Sequence, residues 1–171
     1  MKSESSSTDS VQNQNPTEWW ATAVATFFGI GYLKPGPGTW ASVAAVLLWA
    51  AFVFALHPST LTLTLALTLG IVVAIALGVP AATIVERQSG RTDPGFVVID
   101  EVIGQWIALL FCPPNLPHAL IALILFRLFD ITKPFPIRRI ERLPAGSGIV
   151  FDDVGAGLYA LVVATLVRIW F

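Results

Sequence analysis

Apolar positions in this chain fall in long unbroken runs. They follow neither the two-residue alternation of a half-buried strand nor the one-sided period of a water-facing helix. Crossing a bilayer takes about 20 apolar residues in a helix, with a range of roughly 17–25. Residues 40–56 (WASVAAVLLWAAFVFAL) and 61–79 (LTLTLALTLGIVVAIALGV) meet that requirement, separated by the uncharged connector His57-Pro58-Ser59-Thr60. Residues 96–112 (FVVIDEVIGQWIALLFC) form a shorter candidate that carries two acids. Residues 116–129 follow a Pro-Pro-Asn turn, and 154–171 run apolar to the end apart from Arg168. Residues 19–33 are apolar but short and interrupted by glycine. The expected fold is all-α: a polytopic helical membrane protein with about four transmembrane helices plus an N-terminal re-entrant or interfacial helix.

Composition supports lipid as the solvent. Of the 171 residues, 55% are hydrophobic and 12% charged, and the mean hydropathy is +0.74. A soluble domain usually carries about a quarter charged residues. The net charge of -1 exerts no global pull on nucleic acid or anionic lipid, so any electrostatic function must come from local clustering. Cys112 is the only cysteine, which excludes an intramolecular disulfide, and its apolar surroundings predict an inert buried thiol. Residues 1–18 are polar and rich in Ser, Asn and Gln. They predict a disordered tail with no signal-peptide core, ahead of a single membrane-embedded domain over 19–171.

Basic residues set the expected orientation. Lys34 precedes the first strong span, Arg87 and Arg91 follow the second, and Lys133, Arg138, Arg139 and Arg142 lie between the fourth and the last. The connectors at 57–60 and 113–118 contain no Lys or Arg. Basic loops on the cytoplasmic side would put Asp100 and Glu101, Asp130, and Asp152 and Asp153 at that same side, on three different helix ends. These are five of the chain's eleven acids. So many carboxylates beside hydrocarbon are costly and repel one another unless a cation sits among them. Oxygen ligands of this kind favour Mg²⁺.

Helix spacing sharpens the pattern. Gly104 and Ala108 stand behind Asp100, Ala156 and Ala160 behind Asp152, and Gly157 behind Asp153. Small residues at that interval let membrane helices approach closely. Paired acids at a helix N-terminus also simply complement the helix dipole. Asp130 escapes that explanation, because it belongs to a helix C-terminus, where its neighbour Arg127 stands three residues earlier.

Loops add candidate anion ligands. Lys34-Pro35-Gly36-Pro37-Gly38-Thr39 leads into the helix at 40, with Thr39 as the expected N-cap and backbone amides open to a phosphate. Ala145-Gly146-Ser147-Gly148 has the same character. Pro134 stops the preceding helix and holds Lys133 near Asp130. His57 and His118 fall in the opposite connectors.

The segments GIGYLKPGPGTWAS (29–42), DPGFVVIDEVIGQWIAL (93–109), FRLFDITKPFPIRRIE (126–141) and GSGIVFDDVGAGLYA (146–160) together resemble the phosphatidylglycerophosphatase A family. The resemblance covers roughly residues 20–171. It implies a Mg²⁺-dependent enzyme of the bacterial inner membrane, with its site facing the cytoplasm. Such an enzyme removes the terminal phosphate of phosphatidylglycerophosphate to give phosphatidylglycerol. The family's acidic positions map onto Asp100, Glu101, Asp130, Asp152 and Asp153, as metal-binding and catalytic residues, with Lys133 beside them. Its PGT turn maps onto Pro37, Gly38 and Thr39; Gly38 and Thr39, with Lys34 and Lys133, would bind the phosphate. The expected partners are the lipid substrate and the bilayer, with no nucleic acid. The alternative from another class is an ion- or proton-coupled transporter, which would spread its acids through the membrane depth.

Overall fold

A computed structural model of the chain describes residues 18–170. The expected tail lies outside the described residues except for Glu18. Seven α-helices follow in order: α1 Trp19–Ala25, α2 Pro37–Leu56, α3 Thr60–Ser89, α4 Ile99–Ala108, α5 Leu116–Thr132, α6 Ile137–Ile140 and α7 Gly146–Trp170. A 3₁₀ turn, Ile30–Tyr32, links α1 to α2, and the described residues contain no strand. The protein is an all-helical membrane protein. Three of its helices, α2, α3 and α7, are long and apolar enough to cross a membrane.

The central element is the shortest of the expected spans. The candidate over 96–112 is helical only over the 10 residues of α4, a rise of about 15 Å and half of a bilayer core. Pro94-Gly95 precedes it, and the chain turns at Leu109–Phe111 before Pro113-Pro114. α4 ends at Ala108 with Leu109 as its C-cap, and Phe111, just beyond, adopts a left-handed φ of 57°. α4 can afford its polar residues because α2, α3, α5 and α7 surround it. Ile99, Asp100, Val102, Ile103, Gly104, Gln105, Ile107 and Ala108 are all buried. Residues 19–33 fold as one short helix and the 3₁₀ turn, too short to span, with Trp19, Phe28 and Tyr32 exposed at the apolar surface.

Three boundaries differ from the sequence reading. α3 passes through Pro80 and ends at Ser89, where Gly90 closes it in a left-handed conformation; at 30 residues it exceeds the hydrocarbon core. α7 begins at Gly146, eight residues before the expected start at 154. The Gly146–Gly148 segment is therefore the first turn of a helix and not a loop, and Gly146 N–H donates to Thr83 Oγ1 at 3.1 Å, tying α7 to α3. Thr39 is not an N-cap: the cap of α2 is Gly36, at φ 69°, with Pro37 in the first turn. Proline suits that position because its missing N–H is unpaired there anyway.

Candidate active site

Asp100 and Glu101 occupy the first turn of α4, and Asp153 reaches them from α7. One carboxylate oxygen from each lies within 4.8 Å of the others. Asp100 is 8% exposed and Asp153 2%. The helices meet through glycine. A Cβ on Gly157 would stand 2.5 Å from the carbonyl oxygen of Gly104, and one on Gly104 would strike the Phe126 ring and the backbone of Asp153. Only bare backbone lets α4 and α7 close enough to bring the three acids together.

One carboxylate oxygen of each of these acids is left unsatisfied by the protein. Asp100 Oδ1, Glu101 Oε2 and Asp153 Oδ2 are buried and have no hydrogen-bond partner. Three carboxylates this near one another, away from water, repel strongly. A hard divalent cation answers both problems, since it accepts carboxylate oxygens and neutralises them. The residues present therefore fit a metal ion, which Asp100, Glu101 and Asp153 could hold.

The other two acids of the predicted five are held by cations. Asp130 Oδ2 is 2.7 Å from Arg127 Nη1, in a pair three residues apart on α5. Its carboxylate also neighbours Asp153 and Glu101. Asp152 Oδ2 accepts a hydrogen bond from Lys133 Nζ at 2.7 Å. The same Nζ donates to Glu141 Oε1 at 2.9 Å. Burial alone would lower the Lys133 pKa, but these two carboxylates outweigh it and hold the ammonium above its ordinary value. Lys133 reaches this place because it caps α5 in a left-handed conformation, φ 42°, with Pro134 barring a further turn.

Asp152 and Asp153 lie well inside α7, whose first turn contains no acid, so the helix dipole does not account for them. Asp100 and Glu101 do occupy a first turn. Gly38 is buried against Glu101 and Arg127, which would collide with any side chain there. Lys34 and Thr39 are exposed and hydrogen-bond to none of these acids among the described residues. His57 caps the far end of α2 and His118 opens α5, both away from the site.

Three residues of the site escaped the sequence reading. Asp93, in a left-handed turn at φ 50°, faces Lys133, Glu141 and Asp130 at the rim. Desolvation raises its pKa above the ordinary 3.8, against the opposing pull of Lys133. Asp-Pro-Gly reads as a turn, which hid it. Glu141, the second partner of Lys133, lies beyond two prolines. Gln105, fully buried on α4, carried no motif of its own.

The sequence profile of the phosphatidylglycerophosphatase A family matches residues 23–168. The chain belongs to that family. Among curated relatives, a protein named phosphatidylglycerophosphatase A from Haemophilus influenzae is 36% identical over 86% of this chain and 88% of its own length. One of the same name from Escherichia coli is 35% identical over 79% of this chain and 76% of its own. A putative phosphatidylinositol-3-phosphatase from Bacteroides thetaiotaomicron is 37% identical over 85% and 91%. No solved structure matches significantly. As a member of the family the chain is an enzyme, a lipid phosphate monoester hydrolase, and the transporter alternative gives way to it.

Proposed function

We propose that this phosphatase is Mg²⁺-dependent and removes the terminal phosphate of phosphatidylglycerophosphate, giving phosphatidylglycerol at the cytoplasmic face of a bacterial inner membrane. The observation that carries the reading is the trio of buried, unpartnered carboxylate oxygens on Asp100, Glu101 and Asp153, with Lys133 held by Asp152, the chain neighbour of Asp153. The family name and the names of two relatives supply the substrate. The orientation follows from Lys34, Arg87, Arg91, Arg138, Arg139 and Arg142 lying at the same helix ends as the acids.

Asp100, Glu101 and Asp153 would hold the ion. When bound, it would offset charge on the phosphoryl oxygens and lower the pKa of a water near them. Lys133 uses two of its three N–H groups on Asp152 and Glu141, which leaves the third for the phosphate, where it would stabilise charge developing on the transferring group. The N–H of Gly38, in the first turn of α2 beside Glu101, would add a backbone donor for the same anion. Asp130 sits next to the metal ligands without belonging to the trio, and Arg127 orients it. It is placed to take the proton of the attacking water. Asp152 fixes Lys133. The acyl chains stay in the bilayer while the headgroup enters the site.

Substrate choice is tested by phosphate release in detergent–lipid micelles from phosphatidylglycerophosphate, phosphatidylinositol 3-phosphate and phosphatidate, one at a time. The reading expects kcat/KM for phosphatidylglycerophosphate at least tenfold above the others. A preference for phosphatidylinositol 3-phosphate would contradict it and favour the activity named for the Bacteroides relative.

A further inference from the structure

Gln105 lies one helical turn beyond Glu101 on the same face of α4. It is fully buried, and neither its amide nitrogen nor its amide oxygen has a partner. A buried amide without hydrogen bonds destabilises a fold, and Leu or Met would fill the same space without that penalty. Packing therefore does not explain a glutamine here.

Side chains on a helix lean toward its N-terminus, which directs the carboxamide at the turn holding Glu101. Two more buried polar atoms without partners are Oε2 of Glu101, on that preceding turn, and Nε of Arg127. Glu101 and Arg127 are themselves neighbours, since both crowd the same point beside Gly38. The set is complementary: the carboxamide brings two donors and an acceptor, Arg127 a donor, and Glu101 an acceptor. A buried water makes 2–4 hydrogen bonds to groups of this kind. Ser42, one turn beyond Gly38, donates its own hydroxyl to the Gly38 carbonyl oxygen at 2.9 Å. The other two acids of the trio differ. Asp100 and Asp153 each have glycine one turn on, where the helix backbones touch. Glu101, with its longer side chain, has Gln105.

We propose that Gln105 is a positioning residue for Glu101. Through a buried water shared with Glu101 Oε2 and Arg127 Nε, it fixes the glutamate carboxylate as a metal ligand. The inference rests on the metal-binding reading of the trio, and not on the identity of the lipid.

The test uses the full-length protein in lipid nanodiscs, with Gln105→Met, which keeps the volume, and Gln105→Asn, which keeps a shortened amide. Mn²⁺ binding without substrate is measured by calorimetry, beside kcat, KM and Tm. Gln105→Met should bind Mn²⁺ about tenfold more weakly, as expected for loss of a group that supports a metal ligand. Its kcat should fall by a similar factor, with KM for the lipid unchanged and Tm unchanged or higher. Gln105→Asn should recover part of the Mn²⁺ affinity. Wild-type affinity in Gln105→Met would overturn the proposal. So would an affinity loss accompanied by a lowered Tm in both variants, which marks a packing role, and so would wild-type protein that binds no Mn²⁺. Wild type that binds Mn²⁺ in a Gln105-dependent way but releases no phosphate would overturn the proposed substrate and leave this inference standing.

Discussion

Lys133 Nζ lies 2.7 Å from Asp152 Oδ2 and 2.9 Å from Glu141 Oε1, so that one ammonium joins the end of α5 to α7 and to the segment after α6. The pairing separates the adjacent acids of α7. Asp152 is neutralised by protein, while Asp153 turns into the trio and keeps an oxygen free. Neighbouring residues on a helix point about 100° apart, and here that angle assigns them different tasks.

Replacing Lys133 with Met leaves Asp152 buried without a counter-charge. The variant should lose about 2 kcal/mol of stability, less than the usual cost of breaking a buried pair because Lys133 is partly exposed. Its kcat should drop roughly 100-fold through loss of the phosphate-facing N–H. Thermal unfolding and phosphate release check the two effects separately. A variant with wild-type kcat would remove Lys133 from the chemistry.

The contact between Gly104 and Gly157 predicts the effect of a single methyl. Gly157→Ala places a Cβ against the Gly104 backbone and should cost roughly 1–3 kcal/mol as the helices part. Because the trio spans that contact, metal affinity should fall along with Tm. An alanine variant with unchanged Tm and metal affinity would show that the helices have room to spare.

Much of this arrangement is legible in the amino-acid sequence. The small residues behind Asp100 and Asp153 are where α4 and α7 touch, because residues four apart share a helix face whatever the fold. Long apolar runs marked α2 and α3 for the same local reason. What escaped reading depended on neighbours distant in sequence. Pro80 does not end α3, because tertiary packing supports the helix beyond it. The glycines at 146 and 148 serve close packing of α7, against α3 and against the 141–143 segment. Five acids at one membrane face do not reveal which of them meet, and that division depends on where Arg127 and Lys133 reach. Gln105 reads as one polar residue in an apolar helix until its burial and missing partners are seen.

Asp93 should give a pH-dependent stability difference. Its folded pKa lies above the ordinary 3.8 because desolvation favours the neutral acid. The folded protein thus holds this proton more tightly than the unfolded chain, and the group loses stability as pH rises from about 3.8 through its folded pKa. Asp93→Asn should match wild type in Tm at the acid end of that range and exceed it at pH 7. Equal Tm values at pH 7 would show that solvent at the rim screens the effect.

Removing charge from the trio should have opposite consequences with and without metal. In chelator, Asp100→Asn should melt above wild type, since one of three repelling buried charges is gone. With millimolar Mg²⁺, wild type should gain stability as the ion binds the folded state, while Asp100→Asn gains little. An equal Mg²⁺ response in both proteins would place the ion elsewhere.

The most direct test of the central claim is phosphate release by purified protein from phosphatidylglycerophosphate, with Mg²⁺ and with chelator, beside Asp153→Asn. The account predicts release by wild type only with the metal, and a loss of at least 100-fold in the variant at full occupancy of lipid. Release that survives chelation, or an Asp153→Asn variant that retains wild-type kcat, would contradict a metal-dependent phosphatase built on Asp100, Glu101 and Asp153.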